Sequence, residues 1–258
     1  MYHTIRERFR QGHRTFRYPD GPPPPLPERF LGMPRLDPRN CPEGCRECQT
    51  ACPTGAIVRD GDKFQLDLGR CLFCSDCLKV CPKDSLSFGG GYRLSARRRE
   101  DLVVQAGVEA AGCLALEKKM LSLFGRSLKL RQVSAGGCNA CEADVNVLGT
   151  PAWDLGRFGI QMVASPRHAD GLLVTGCVTE NMRLALEKAY AAVAKPKLVI
   201  AVGACAISGG PFATNPQQHG GASSVVPVDL FIPGCPPHPL TMLDGLLTLL
   251  GRVEEGKG

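Results

Sequence analysis

From residue 128 onward, short apolar runs alternate with amphipathic stretches. LKLRQV, GIQMVA, GLLVTG, KLVIAVG and VPVDLFIPG each read as a strand. Between them lies ENMRLALEKAYAAVA, which Thr179 can cap and Pro196 stops. A last helix is predicted from Pro239 to about Val253. Near-continuous apolar strands alternating with helices predict a parallel sheet covered on both faces. Residues 128–258 are therefore expected to form a small doubly wound α/β domain of flavodoxin-like type.

Upstream the pattern differs. Residues 95–124 carry Leu102, Val103, Ala106, Val108, Cys113, Leu116, Met120 and Phe124 at roughly helical spacing. With Ser95 as cap they predict a helix, which Gly107 and Gly112 weaken, and residues 92–127 are expected to be a helical linker. In AIVRDGDKFQLD, Asp60-Gly61 reads as a hairpin turn between two short strands. Ser85 to Phe88 read as a further strand, ended by Gly89, Gly90 and Gly91. Residues 1–40, rich in Arg and Pro with GPPPPLP at 21–27, are expected to be an extended arm.

Cysteine changes the picture most. Two runs, CPEGCRECQTACP and CLFCSDCLKVCP, place eight cysteines between Cys41 and Cys81. Cys45, Cys48 and Cys52 recur 29 residues later as Cys74, Cys77 and Cys81. Three thiolates at this spacing cap one face of an iron–sulfur cube, and in two-cluster ferredoxins the fourth comes from the other run. On that rule Cys41, Cys45, Cys48 and Cys81 hold one [4Fe–4S] cluster, and Cys71, Cys74, Cys77 and Cys52 a second. Residues 41–91 are thus expected to be a two-cluster ferredoxin domain. Three residues, not two, separate Cys41 from Cys45, and Gly44 is placed to absorb the extra one. Spacing alone also allows zinc.

Five more cysteines follow the strands of the α/β part: Cys138 and Cys141 in GGCNAC, Cys177 in VTGC, Cys205 in VGACAISGG and Cys235 in IPGCPP. In open parallel sheets, ligands gather beyond the carboxyl ends of the strands. These loops are expected to converge on a third metal centre, and their glycines would let backbone approach a bulky cube. Cys138 and Cys141 share a turn, and Cys205 and Cys235 sit in Gly-rich loops; Cys177 is the doubtful fifth. Cys113 stands alone and reads as a buried small hydrophobe. Arg97, Arg98 and Arg99 read as a solvated or docking face.

Charge and composition then narrow the function. The formal net charge is +6, with 14 cysteines. Twelve thiolates add −12 and three 2+ cores add +6, which brings a loaded protein near neutrality. The basic excess therefore argues weakly for nucleic acid, and none is expected as a partner. MYHTIRERFRQGHRTF has no apolar core of a secretory leader. No run approaches the roughly 20 apolar residues of a membrane span. The expectation is a cytoplasmic protein.

GGCNACEAD, SPRHADGLLVTG, VGACAISGG and VPVDLFIPGCPP together resemble the cluster-bearing small subunit of group 4 membrane-bound nickel–iron hydrogenases, of formate hydrogenlyase type. They also resemble the homologous B-type subunit of respiratory complex I. The resemblance covers roughly residues 121–250. TFRYPDG…PERFLG loosely resembles the segment before the ferredoxin motif in these complexes. The chain reads as a fusion of the two subunits.

The resemblance implies Cys138, Cys141, Cys205 and Cys235 as ligands of a third [4Fe–4S] cluster, with Cys177 where a non-ligand is expected. It implies a role for Glu142 in tuning that cluster or passing protons, against a solvated carboxylate at a helix start. It places Arg167 and His168 at an interface with a large subunit, against ordinary loop polarity. Complex I subunits carry adjacent cysteines where this chain has Cys138-x2-Cys141, the hydrogenase-like form.

The implied function is electron relay in an oxidoreductase. No residue of this chain makes or breaks bonds. A partner large subunit holds nickel or, in the alternative, is a nickel-lacking homologue in a quinone-reducing complex. The other implied partners are membrane subunits and a donor or acceptor such as a formate dehydrogenase or ferredoxin. The chain would then lie on the inner face of the membrane. A zinc-stabilised basic adaptor is the reading of a different class.

Overall fold

The computed structural model describes residues 2–12, 14–60, 63–108 and 112–253. The chain opens with a helix, α1 (Tyr2–Gln11), which corrects the expectation of an extended arm from the first residue. The segment YHTIRERFRQ has no Pro or Gly; the chain-stiffening prolines begin only at Pro19. Residues 14–33 then run without regular structure. Phe16 N–H donates to Ala152 O at 2.9 Å and the Phe16 ring packs edge-on against Trp153.

Strand β1 (Pro34–Leu36) ends the arm. Helix α2 (Glu47–Ala51) and hairpin strands β2 (Ile57–Asp60) and β3 (Lys63–Asp67) follow, then α3 (Asp76–Val80) and β4 (Leu86–Phe88). β2 and β3 pair antiparallel from Ile57↔Leu66 to Asp60↔Lys63. The predicted turn residue Gly61 lies outside the described residues. β4 is the strand expected at 85–88, and its partner is the arm: β1 pairs with it antiparallel, Pro34 opposite Phe88.

Residues 95–124 are not one helix. Strand β5 (Val103–Gln105) adds to β3 as the third strand of the hairpin sheet, with Leu66 opposite Val104. Among the described residues there, only α4 (Lys118–Phe124) is helical, apart from a 3-10 turn at Arg99–Leu102. A Val103-Val104 pair suits a pleated sheet better than a helix. Pairing with β3 outweighs a helical period already interrupted by Gly107.

The α/β part contains β6 (Leu128–Ser134), α5 (Ala140–Val147), β7 (Ile160–Met162), β8 (Gly171–Thr175), α6 (Glu180–Ala192), β9 (Leu198–Val202), α7 (Ala204–Ser208), β10 (Leu230–Ile232) and α8 (Pro239–Leu249). The five strands form a parallel sheet in the order β10-β9-β8-β6-β7. Counted within this sheet, that is the 2-1-3-4-5 order of flavodoxin-like folds. β8 and β9 are buried at every residue, as strands covered on both faces must be.

One apolar core lies on each face. On one, Leu130, Ile160, Leu173 and Ile200 pack with α8, whose eleven residues are all buried. On the other, Leu172, Val174, Val199 and Ala201 share a continuous core with Phe64, Leu66, Leu68 and Leu102 of the cysteine-rich part. The edge strand β10 is closed by Ala96, which exchanges backbone hydrogen bonds with Phe231 at 3.0 and 2.8 Å. Among the described residues, no helix is long and apolar enough to cross a membrane.

Candidate iron–sulfur sites

The twelve predicted ligand cysteines fall into three neighbourhoods. Burial raises the pKa of the Cys48 thiol, and the facing thiols of Cys81, Cys41 and Cys45 raise it further. Burial pushes Cys71 up to about 12, with Cys77, Cys52 and Cys74 adding to the effect. Burial likewise pushes Cys141 up to about 12, reinforced by Cys205, Glu142, Cys235 and Cys138. So Cys81 stands with the first run and Cys52 with the second. The loops after β6, β9 and β10 bring Cys138, Cys141, Cys205 and Cys235 together beyond the strand ends.

The neighbourhoods adjoin one another. Cys77, pushed up to about 11 by burial and by Cys74 and Cys52, also feels Cys48 of the first set. Cys235, raised by burial and by Cys138, feels Cys74 of the second. The second set therefore lies between the other two.

Local backbone explains the spacing. In both Cys74-x2-Cys77 and Cys138-x2-Cys141 the residue after the first cysteine is left-handed: Ser75 at φ 65° and Asn139 at φ 71°. Each stands just before a short helix, α3 or α5, that carries the second cysteine. The Cys45-x2-Cys48 loop lacks this left-handed residue, with Arg46 at φ −131°. There Gly44, between Cys41 and Cys45, is left-handed instead, at φ 72°.

These surroundings suit a bulky, positively charged inorganic core. Thiols pushed up to about 12, as at Cys71, Cys141 and Cys205, are protonated at neutral pH, and as thiolates they would repel their neighbours. Bound iron reverses both effects. Backbone N–H groups already point at sulfur: Ala56 N lies 3.2 Å from Cys52 Sγ and Phe73 N 3.4 Å from Cys71 Sγ. A small apolar cavity bounded by Ile57, Leu66 and Phe88 opens onto Cys52, Cys71, Cys74 and Cys77. In the third set, a Cβ at Gly203 would come within 2.6 Å of Cys141 Sγ, and one at Gly210 within 2.9 Å of Cys205 Sγ. Among the described residues, no three His, Cys, Asp or Glu are grouped as a single metal ion would need.

The remaining candidates sort differently. Cys177 is 3% exposed and its thiol points at Gly136 O, 3.5 Å away. Cys113 is buried, in a loop before α4. Arg167 and His168 lie in an exposed 3-10 turn. The three arginines do not form one face. Arg97 donates to Ala115 O, Arg98 pairs with Glu100 and Asp101, and Arg99 grips Asp67. Glu142 is not solvated: it is 5% exposed, and Ser134 and Thr175 donate their hydroxyl protons to its Oε1. Burial raises this carboxyl's pKa, yet the two hydroxyls and a backbone N–H together outweigh it and hold the group below its usual range. Ser134 and Thr175 end the neighbouring strands β6 and β8. A hydroxyl residue at the carboxyl end of each strand was the available sequence signal.

Known proteins match both halves. The family described as "4Fe-4S dicluster domain" matches residues 40–86, and "NADH ubiquinone oxidoreductase, 20 Kd subunit" matches residues 138–249. Formate hydrogenlyase subunit 7 of Escherichia coli is 43% identical over 141 residues, 55% of each chain. The chain thus spans about half the length of that relative. A probable membrane-bound hydrogenase subunit, mbhJ, of Pyrococcus furiosus is 40% identical over 143 residues, 54% of this chain and 86% of its own. The B-type subunit of the NADH-quinone oxidoreductase of Carboxydothermus hydrogenoformans is 43% identical over 120 residues, 46% of this chain and 72% of its own.

Fold, cysteine pattern and both matches define an iron–sulfur protein of the 4Fe–4S class, related to subunits of oxidoreductase complexes. The chain belongs to the family of the 20-kDa subunit of NADH–ubiquinone oxidoreductase, here preceded by a dicluster domain.

Proposed function

We propose that this chain is the electron-relay subunit of a membrane-associated nickel–iron hydrogenase complex of formate hydrogenlyase type. It carries three [4Fe–4S] clusters, held by Cys41, Cys45, Cys48 and Cys81; by Cys52, Cys71, Cys74 and Cys77; and by Cys138, Cys141, Cys205 and Cys235. The observation that carries the reading is three thiol sets side by side, the second adjoining the first at Cys77 and Cys48 and the third at Cys74 and Cys235. Each bound cluster supplies a one-electron store, and the protein sets spacing and potential.

The chain's own residues have distinct tasks. Ala56 and Phe73 N–H groups steady ligand sulfurs, while Ile57, Leu66 and Phe88 keep water from the middle site. Gly203 and Gly210 leave room beside Cys141 and Cys205. Residues 1–40 act as an arm, 41–91 as the dicluster unit, 92–127 as a linker and 128–258 as the unit that meets a nickel-bearing large subunit. Membrane subunits hold the assembly on the inner face of the membrane, and a formate dehydrogenase or ferredoxin exchanges electrons at the dicluster end.

Similarity to the B-type subunit of NADH-quinone oxidoreductase favours a second reading, relay to a quinone in a nickel-free complex. The Cys138-x2-Cys141 spacing supports the first. The deciding experiment is anaerobic purification of the complex around this chain, with hydrogen-dependent dye reduction and nickel and iron counted on one sample. Nickel with dye reduction supports the hydrogenase. Loaded clusters without nickel or hydrogen turnover support the quinone-reducing relative.

A further inference from the structure

The loop that delivers Cys71 is fastened directly to the helix that delivers Cys205. Arg99 donates two bonds to the Asp67 carboxylate, Nη1 to Oδ1 at 2.8 Å and Nη2 to Oδ2 at 2.6 Å. The same Oδ1 accepts from Gly69 N–H at 2.9 Å, and Asp67 O accepts from Cys71 N–H at 3.0 Å. On the other side, Ser208 Oγ lies 2.8 Å from Gly69 O and 3.0 Å from Ala204 O, so its one proton bridges the two carbonyls. Ser208 ends α7, the helix of Cys205.

Packing leaves this junction little slack. A Cβ at Gly69 would come within 2.7 Å of Ile207 Cγ2 and 2.8 Å of Arg99 Cζ. Ile207 is 3% exposed, Arg99's side chain 31% and Asp67's 20%. A bidentate guanidinium–carboxylate pair defines direction as well as distance.

We infer that Arg99, Asp67 and Ser208 are positioning residues that hold the second and third cluster sites at a fixed separation. The inference rests on the cluster reading above and deepens it. The clamp closes a gap that sequence leaves wide, since Gly69 and Ser208 are 139 residues apart. It reaches Cys71 within two residues on one side and Cys205 within three on the other.

The test uses the full-length chain, loaded with iron and sulfide and reduced anaerobically. Magnetic interaction between neighbouring reduced clusters splits their electron paramagnetic resonance signals. A Cys138→Ala chain marks which part of that splitting belongs to the third site. The Asp67→Asn, Ser208→Ala double variant is expected to keep its iron and sulfide but lose that part. Asp60→Asn, which removes only the exposed Arg46–Asp60 pair, should keep it.

Unchanged splitting in a fully loaded double variant would overturn the clamp, as would a loaded parent chain with no third-site splitting. A parent chain that takes up no iron overturns the cluster reading and the clamp with it. Where the double variant loads poorly, hydrogen exchange on the same chain decides. Faster exchange at residues 67–71 and 204–208 with β8 unchanged supports the clamp, and unaltered exchange there overturns it.

Discussion

Tyr18 donates its hydroxyl proton to Asp244 across 226 residues of chain, at 2.5 Å, with both residues almost completely buried. Asp244 sits within α8, and Arg93 Nε lies 3.3 Å from the same carboxylate oxygen. Arg157 adds a bond to Tyr18 O. A polar group so deep must be partnered. The contact therefore pins the arm and the segment after β4 to the α/β core.

Tyr18→Phe should then cost about 1–3 kcal/mol, the penalty of leaving a buried acceptor short of a donor. Burial, then Asp244, raises the Tyr18 phenol above its ordinary value. A raised pKa in the folded state means that this stabilisation is complete below the unfolded value of about 10 and lost as pH rises beyond it. Urea unfolding from pH 7 to 11 checks both points: the parent loses stability above pH 10, and the variant should lose less.

Glu142 places a buried negative charge beside Cys141, and its hydrogen-bond donors are the neutral hydroxyls of Ser134 and Thr175. Such a charge disfavours an added electron. Glu142→Gln keeps the shape and removes the charge. At an effective dielectric near 20 the third site's midpoint potential should rise by roughly 50–100 mV. A redox titration followed by electron paramagnetic resonance reads it, and the other two sites should not move. A shift below about 10 mV would show that Glu142 is neutral or screened.

Much of this was legible in the sequence because it depended on short periods. The five parallel strands, α6 and α8 announce themselves as apolar runs and caps. The cysteine sets follow from spacing and from the rule that ligands gather beyond strand ends. What was not legible depends on long-range pairing. Val103–Gln105 has helix-compatible spacing and becomes a strand only because β3 offers it an edge. Arg99 lies among three arginines alike in sequence, and only the fold brings Asp67 to it. Glu142 reads in sequence either as a group that tunes the cluster or passes protons or as a solvated helix-start carboxylate, and only the fold puts Ser134 and Thr175 around it at the ends of β6 and β8.

Gly203 has φ 90°, and its missing side chain faces Cys141 Sγ. Gly203→Ala adds both a left-handed strain and a 2.6 Å contact with that sulfur. The third site should fail to load while the first two are kept. Iron per chain should fall by about a third, four of about twelve atoms. Gly107→Ala, also at positive φ but with nothing within 4 Å, separates strain from contact and should keep full iron.

Cys177 and Cys205 offer the sharpest contrast among the thiols. Both are buried and near enough for Cys177 to raise the pKa of Cys205, which burial and Cys235 already push up to about 12. Yet the Cys177 thiol is directed at Gly136 O and acts there as a donor, whereas a ligand sulfur must be a thiolate and has no proton to donate. Burial raises its pKa. Cys177→Ala should therefore retain all its iron and sulfide with only a small loss of stability, on the order of 1 kcal/mol for a buried small side chain. Cys205→Ala should lose the third site's signal. Iron analysis and electron paramagnetic resonance on the two variants, prepared side by side without oxygen, distinguish spectator from ligand. Loss of iron from Cys177→Ala equal to that from Cys205→Ala would make Cys177 a ligand and require Cys138, Cys141 or Cys235 to give up its place.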